Sequence, residues 1–317
     1  MGDGFIIAID FGTAFSGYAF NISARGEESD PRLKRWGKEY GLETPKTPTC
    51  ILFNEDKTFL SFGYEAQMKF KDMRGEEAKK HYFFEDFKMT LYKKKLSDLK
   101  IKDASGKPLE ALKVFSESLR FLKDDALKTI SSNTGGWKFT PSDFTWVLTV
   151  PAIWDESAKQ FMREAAEQAG IVTEGWEEKL LIALEPEAAS IWCKKVPPDG
   201  FILKNRSRES LDESPGTRYI VVDCGDFLKD RPQIVRVGQN TSDIITLSTG
   251  SPQGILSPLL FTLMRHNCVP RFNTNHTVRF TDETTMVGFI RDDNNYRRLQ
   301  STTFFGVHIT DTLIWTG

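Results

Sequence analysis

Two short stretches of this chain combine residue types that can hold a phosphate group. In IDFGTAFSG, Asp10 closes an apolar run and Gly12, Thr13 and Ser16 fill the turn that follows. A glycine there lets backbone amides approach phosphate oxygens, the hydroxyls add donors, and a carboxylate at a strand end can hold a magnesium ion through water. In VVDCG, Asp223 and Gly225 repeat the pattern, so a second strand ends in Asp and Gly and could face the first across a cleft. Asp10 and Thr13 have a plain structural use as well, since such residues also cap ordinary hairpins.

The elements that must position these residues are legible from the hydrophobic pattern. FIIAID and SGYAFNI read as the two arms of a hairpin around FGTAF. Short strands are expected between Thr49 and Phe62, after an irregular lead-in marked by Pro45 and Pro48, and a helical stretch follows them. From Leu109 the residues Leu112, Phe115, Leu119, Leu122, Ala126 and Ile130 recur at three- and four-residue steps, which predicts an amphipathic helix with Pro108 near its start. FTWVLTVP is a buried-strand pattern closed by Pro151, and Asp155 stands as the N-cap of a helix ending at Gly170. KLLIALEPEAASIW repeats strand then helix, with Pro186 at the helix start, and TRYIVVDCG is a further strand. Residues 197 to 216 read as a loop. Alternation of this kind, with an N-terminal hairpin, predicts an α/β fold with a mixed sheet.

Composition bounds the function. The 317 residues suffice for two domains, with 39% hydrophobic and 27% charged residues. A formal net charge of -2 gives no global field for nucleic acid or an anionic membrane, so a polyanion must be held locally. The four cysteines have no metal-ligand spacing and read as reduced, mostly buried thiols. No apolar run reaches the roughly 20 residues that span a bilayer, and a cytoplasmic, non-membrane protein is expected.

The order FGTAFSG, TVPAIWDESAKQFMREAAEQAG, ALEPEAASIW and VVDCG resembles the seventy-kilodalton heat-shock chaperones of the actin and sugar-kinase superfamily. FGTAFSGYAF, YFFEDFKMTLY and VVDCG are most similar to its divergent 12A/12B branch. The resemblance covers about residues 4 to 225. It implies an actin-like ATPase, or ribonuclease H-like, nucleotide-binding lobe that takes ATP and magnesium. Gly12, Thr13 and Ser16 would form the first phosphate loop, Asp10 would sit in the magnesium shell, and Asp223 and Gly225 would open the second loop. Lys88 stands where the chaperones keep a lysine that positions the attacking water, and Glu185 matches the interlobe hinge. Such enzymes work by positioning and charge neutralisation. Protein clients or co-chaperones are the implied partners besides nucleotide. Two of these residues also have ordinary structural uses: Lys88 as a solvated lysine above a packed helix, Glu185 as a charge favoured at a helix N-terminus.

After Gly225 the family's further glycines and Thr give way to DFLKDRPQIV, where Asp226 brings like charge towards the phosphates. A truncated domain over 1-225 is therefore expected, its nucleotide site incomplete and its hydrolysis weakened. The segment 226-317 resembles a non-LTR retrotransposon reverse transcriptase, through SPQG at Ser251 to Gly254 and a carboxylate turn at Phe280 to Glu283. A partial palm-like remnant using Asp282 and Glu283 is the enzymatic alternative, although the upstream catalytic strand that two-metal chemistry needs is missing. A partner-binding pseudo-chaperone is the non-catalytic alternative, and nucleic-acid binding is not expected.

Overall fold

The structure is a computed structural model that describes residues 5–23, 31–92, 96–173 and 175–195, and beyond these only short strands between 218 and 316. The chain divides into two compact units, Met1–Ala183 and Leu184–Gly317. This division lies upstream of the 225/226 boundary expected from the sequence.

The first unit is built on a mixed sheet. Strand β1 (Ile6–Phe11) pairs antiparallel with β2 (Phe15–Asn21), and β2 pairs antiparallel with the two-residue strands β3 (Arg32–Leu33) and β4 (Thr47–Pro48). A second layer of three antiparallel strands follows, with β5 (Cys50–Phe53) between β6 (Phe59–Phe62) and β7 (Tyr82–Glu85). Helix α1 (Gly63–Asp72) covers it: Cys50, Leu52, Ala66 and Phe83 form a buried cluster, and the Phe70 ring stacks on Phe83 at 4.3 Å. The five-residue helix α2 (Glu76–Lys80) leads into β7.

The helix expected from Leu109 begins two residues later. Pro108–Glu110 is strand β9, paired with β8 (Lys100–Lys102), and helix α3 runs from Ala111 to Asn133. Pro108 thus ends a ladder rather than opening a helix, a place where its missing amide costs as little, while Leu109 is buried in the strand. The three- and four-residue spacing holds from the second turn on: Phe115, Leu119, Leu122, Ala126 and Ile130 are all fully buried, while Leu112 in the first turn is half-buried. Strand β10 (Thr145–Val150) then runs parallel to β1, with Ile9 beside Leu148, and β11 (Leu180–Leu184) completes the sheet in the order β11–β10–β1–β2–β3. Helix α4 (Glu156–Gln168) is capped as expected, the Asp155 carboxylate accepting from the Ala158 amide at 2.9 Å.

The core between sheet and helices is aromatic. Phe115 of α3 meets Phe11 at 5.8 Å, Phe87 at 5.1 Å and Phe161 of α4 at 5.3 Å between ring centroids. Each such side chain contributes about 1.5–3 kcal/mol by leaving water, and the cluster lies directly beneath the carboxyl end of β1.

In the second unit, helix α5 (Glu185–Lys195) precedes strand β12 (Arg218–Asp223). β12 pairs antiparallel with Thr284–Ile290 and with Leu313–Thr316, and Asn275–Arg279 pairs antiparallel with Thr284–Ile290.

Candidate functional site

The hairpin between β1 and β2 is tight because of Gly12. A Cβ on this residue would lie 2.2 Å from the Phe15 carbonyl oxygen, so no other residue fits without moving the loop. Thr49 fastens the loop from below: its amide donates to the Ala14 carbonyl at 2.8 Å and its hydroxyl to the Gly12 carbonyl at 2.8 Å. A hydroxyl has one proton to give, so Ser16 must be the donor in the 2.7 Å contact between the Ser16 and Thr49 hydroxyls. Ser16 is fully buried. Its hydroxyl is thus engaged within the fold, holding the loop's support. The amides of Thr13 and Ala14 meet no acceptor among the described residues, the arrangement by which a short loop offers donors to an anion.

Asp10 lies at the edge of this loop, with a side chain that is 37% exposed. Its Oδ1 accepts from the Thr149 hydroxyl at 3.0 Å, and its Oδ2 lies 2.8 Å from Lys46 Nζ. Burial works to raise the Asp10 pKa, but the Lys46 charge and hydrogen bond, the Lys88 charge and the Thr149 hydroxyl outweigh it, and the carboxyl sits below its ordinary value.

Lys88 opens a single helical turn, Lys88–Leu91, and is 1% exposed. The structure thus buries it, where the sequence also allowed a solvated lysine. Its Nζ stands 5.7 Å from the Trp154 ring centroid, within cation–π range. Phe11 and Phe87 are 6.0 Å apart between ring centroids, so the aromatic core brings their chain neighbours Asp10 and Lys88 to one place. Trp154 adds a buried indole N–H that has no acceptor among the described residues.

The remaining expected residues belong to the second unit. Glu185 is the first residue of α5 and Asp223 ends β12. Gly225, Asp226, the SPQG segment and the carboxylate turn with Asp282 and Glu283 lie outside the described residues. Among the described residues no group of three or more His, Cys, Asp or Glu side chains could hold a metal ion, and no helix is long and apolar enough to cross a membrane. Cys50 is buried and free, and burial pushes its thiol up to about 12.

Lys46, Thr49, Thr149 and Trp154 were not foreseen. The alternation of FTWVLTVP offered a signal for Thr149, because a strand beside β1 with its apolar residues inward sets Thr149 next to Asp10. Lys46 lies in what the two prolines marked only as an irregular lead-in, and Thr49 stood only as the start of the short strands that follow it.

The antiparallel β1–β2–β3 hairpin followed by parallel β10, with helices on the sheet, makes the mixed α/β sheet expected from the sequence. The chain is 45% identical over 194 residues to heat shock 70 kDa protein 12A of Mus musculus, a match covering 60% of this chain and 28% of that protein. It is 38% identical over 288 residues to heat shock 70 kDa protein 12B of Homo sapiens, covering 80% of this chain and 41% of that protein. The chain therefore spans less than half the length of these relatives. A match to 80% of 317 residues must run past residue 225 wherever it starts. No family model matches. Among solved structures, MreB5 of Spiroplasma citri bound to ADP is similar at a TM-score of 0.34 and 12% identity, over 60% of this chain and 41% of that one.

Proposed function

We propose that this chain is a nucleotide-binding protein of the heat shock 70 kDa type, in its 12A/12B branch, and that the first unit grips the phosphates of ATP or ADP. The observation that carries the reading is the burial of Lys88 with its charge acting on Asp10, at the edge of a loop whose Thr13 and Ala14 amides meet no acceptor among the described residues. A buried ammonium is costly unless something negative shares its site. Asp10 feels the Lys88 charge, and phosphate oxygens would be further acceptors beside it.

In this reading the Thr13 and Ala14 amides receive a terminal phosphate, and Gly12 lets the loop come close. Lys88 holds a compact positive charge at the phosphate oxygens. Ser16 and Thr49 keep the loop in its receiving shape. Asp223 and Gly225 are the corresponding residues of the second unit, and Glu185 marks the turn between strand and helix where the chaperones place a hinge. Binding of protein clients or co-chaperones would follow from the same kinship. A magnesium ion held through water usually takes one or two carboxylates together with phosphate oxygens. Asp10 is the carboxylate expected to face such an ion, yet both its oxygens are engaged, one of them by an ammonium group. The described residues do not fit the ion in this arrangement.

A ligand that binds only the folded chain raises its melting point. The test is a thermal-melt titration of the full chain with ATP and magnesium, beside Lys88→Met. A concentration-dependent rise that shrinks in the variant is expected. No rise in a chain that melts cooperatively would overturn the reading.

A further inference from the structure

We infer that Trp154 is a positioning residue for the phosphate site, its ring face fixing where the buried Lys88 ammonium stands. The inference rests on the nucleotide reading above and deepens it, because it names a side chain that acts on the ligand through another.

Lys88 is anchored at its backbone end by its neighbour. Phe87 is 3% exposed, and its ring packs on Phe11 and Phe115 at 6.0 and 5.1 Å between centroids. That fixes the main chain of Lys88 and leaves its flexible stem to direct the charge. Trp154 meets the other end: its ring centroid is 5.7 Å from Lys88 Nζ, and the residue is 3% exposed. A tryptophan face is the strongest aromatic partner for an ammonium, and the attraction grows when water is kept from both groups. A buried indole N–H usually finds an acceptor, but that of Trp154 has none among the described residues. What those residues offer this ring besides packing is the contact between its face and Lys88. A leucine would fill the space without that attraction.

The fold holds Trp154 from both sides. Its amide donates to the Pro151 carbonyl at 3.2 Å, and the next residue, Asp155, caps α4. The same short segment begins at Thr149, whose hydroxyl donates to Asp10. Strands β1 and β10 run parallel, so the loops that follow them leave the same edge of the sheet, the edge at which open α/β sheets take their ligands. Residues 149–154 therefore touch the carboxylate of the site at one end and its ammonium at the other.

The test is a double-mutant cycle, read by isothermal titration calorimetry of the full chain with ATP and magnesium. Lys88→Met and Trp154→Leu are each expected to raise the dissociation constant about tenfold, and Trp154→Phe, which keeps an aromatic face, about threefold. Because one residue acts through the other, Trp154→Leu added to Lys88→Met is expected to change the constant by less than about twofold. A packing role would instead lower the melting point of the free chain and leave the ATP constant where it was, or would add its full factor beside Lys88→Met. Either result overturns the inference and leaves the nucleotide reading standing. Should Trp154→Leu fail to melt cooperatively, Trp154→Phe closes the cycle, and its smaller factor must then vanish beside Lys88→Met. No ATP binding by a cooperatively folded wild type overturns both.

Discussion

Gly17 stands directly opposite Asp10 in the β1–β2 ladder, and the space its absent side chain leaves is filled by the stem of Lys46. Gly17→Ala therefore forces the Pro45–Lys46 backbone outward. Overpacking of this kind costs about 1–3 kcal/mol, which equilibrium urea unfolding will read. The pair with Asp10 lengthens at the same time, so the Asp10 carboxyl, followed by NMR, is expected to move up towards its ordinary value of 3.8.

Thr49→Val keeps the side-chain volume and removes the hydroxyl. The buried Ser16 hydroxyl then loses its acceptor and the Gly12 carbonyl its donor. Leaving such groups unpaired costs about 1–3 kcal/mol. Chemical denaturation at neutral pH measures the loss, and an unchanged midpoint would show that the hydroxyl chain does not support the loop.

The Asp10 pair also sets a response to acid. A carboxyl whose pKa is lower in the folded chain than in the unfolded one binds its proton less readily when folded. Its contribution is complete above the ordinary value of 3.8 and is lost as pH falls through the folded value. The melting-point gap between wild type and Asp10→Asn should stay level between about pH 5 and 7 and narrow below about pH 4. A gap unchanged down to the acid limit of folding would contradict the ion pair.

Helix α3 is tied to the sheet by a polar contact as well as by its apolar face. The Tyr18 hydroxyl donates to Asp125 Oδ2 at 2.5 Å and lies 2.9 Å from Thr129 Oγ1. Burial pushes the Tyr18 phenol well above its usual range, as do the charge and hydrogen bond of Asp125. Tyr18→Phe is expected to cost about 1.5–3 kcal/mol, the range for a hydrogen bond to a charged group. Thermal and urea unfolding will test it.

The hairpin, the long helix and the capped helix α4 were readable because each rests on local rules: alternation, three- and four-residue spacing, and a carboxylate before a helix. Pro108 shows where those rules tie, since a proline suits the edge of a short ladder as well as a first helical turn, and only the pairing of β9 with β8 decides. The approach of Lys46 to Asp10 was not readable. It depends on Gly17, a residue far from Lys46 along the chain, lacking a Cβ at one point of the ladder. The burial of Lys88 follows from contact between Phe11 and Phe87, which no periodicity announces.

Thr49 joins two layers. The residues before it, Thr47–Pro48, pair with β2 in the large sheet, and those after it, Cys50–Phe53, form the centre of the small one. Both of its bonds to the Gly12–Ala14 loop come from this single joint. Any tilt of the small sheet is therefore transmitted to the loop as a pull on two carbonyls, and the loop acts as a gauge of where the small sheet stands.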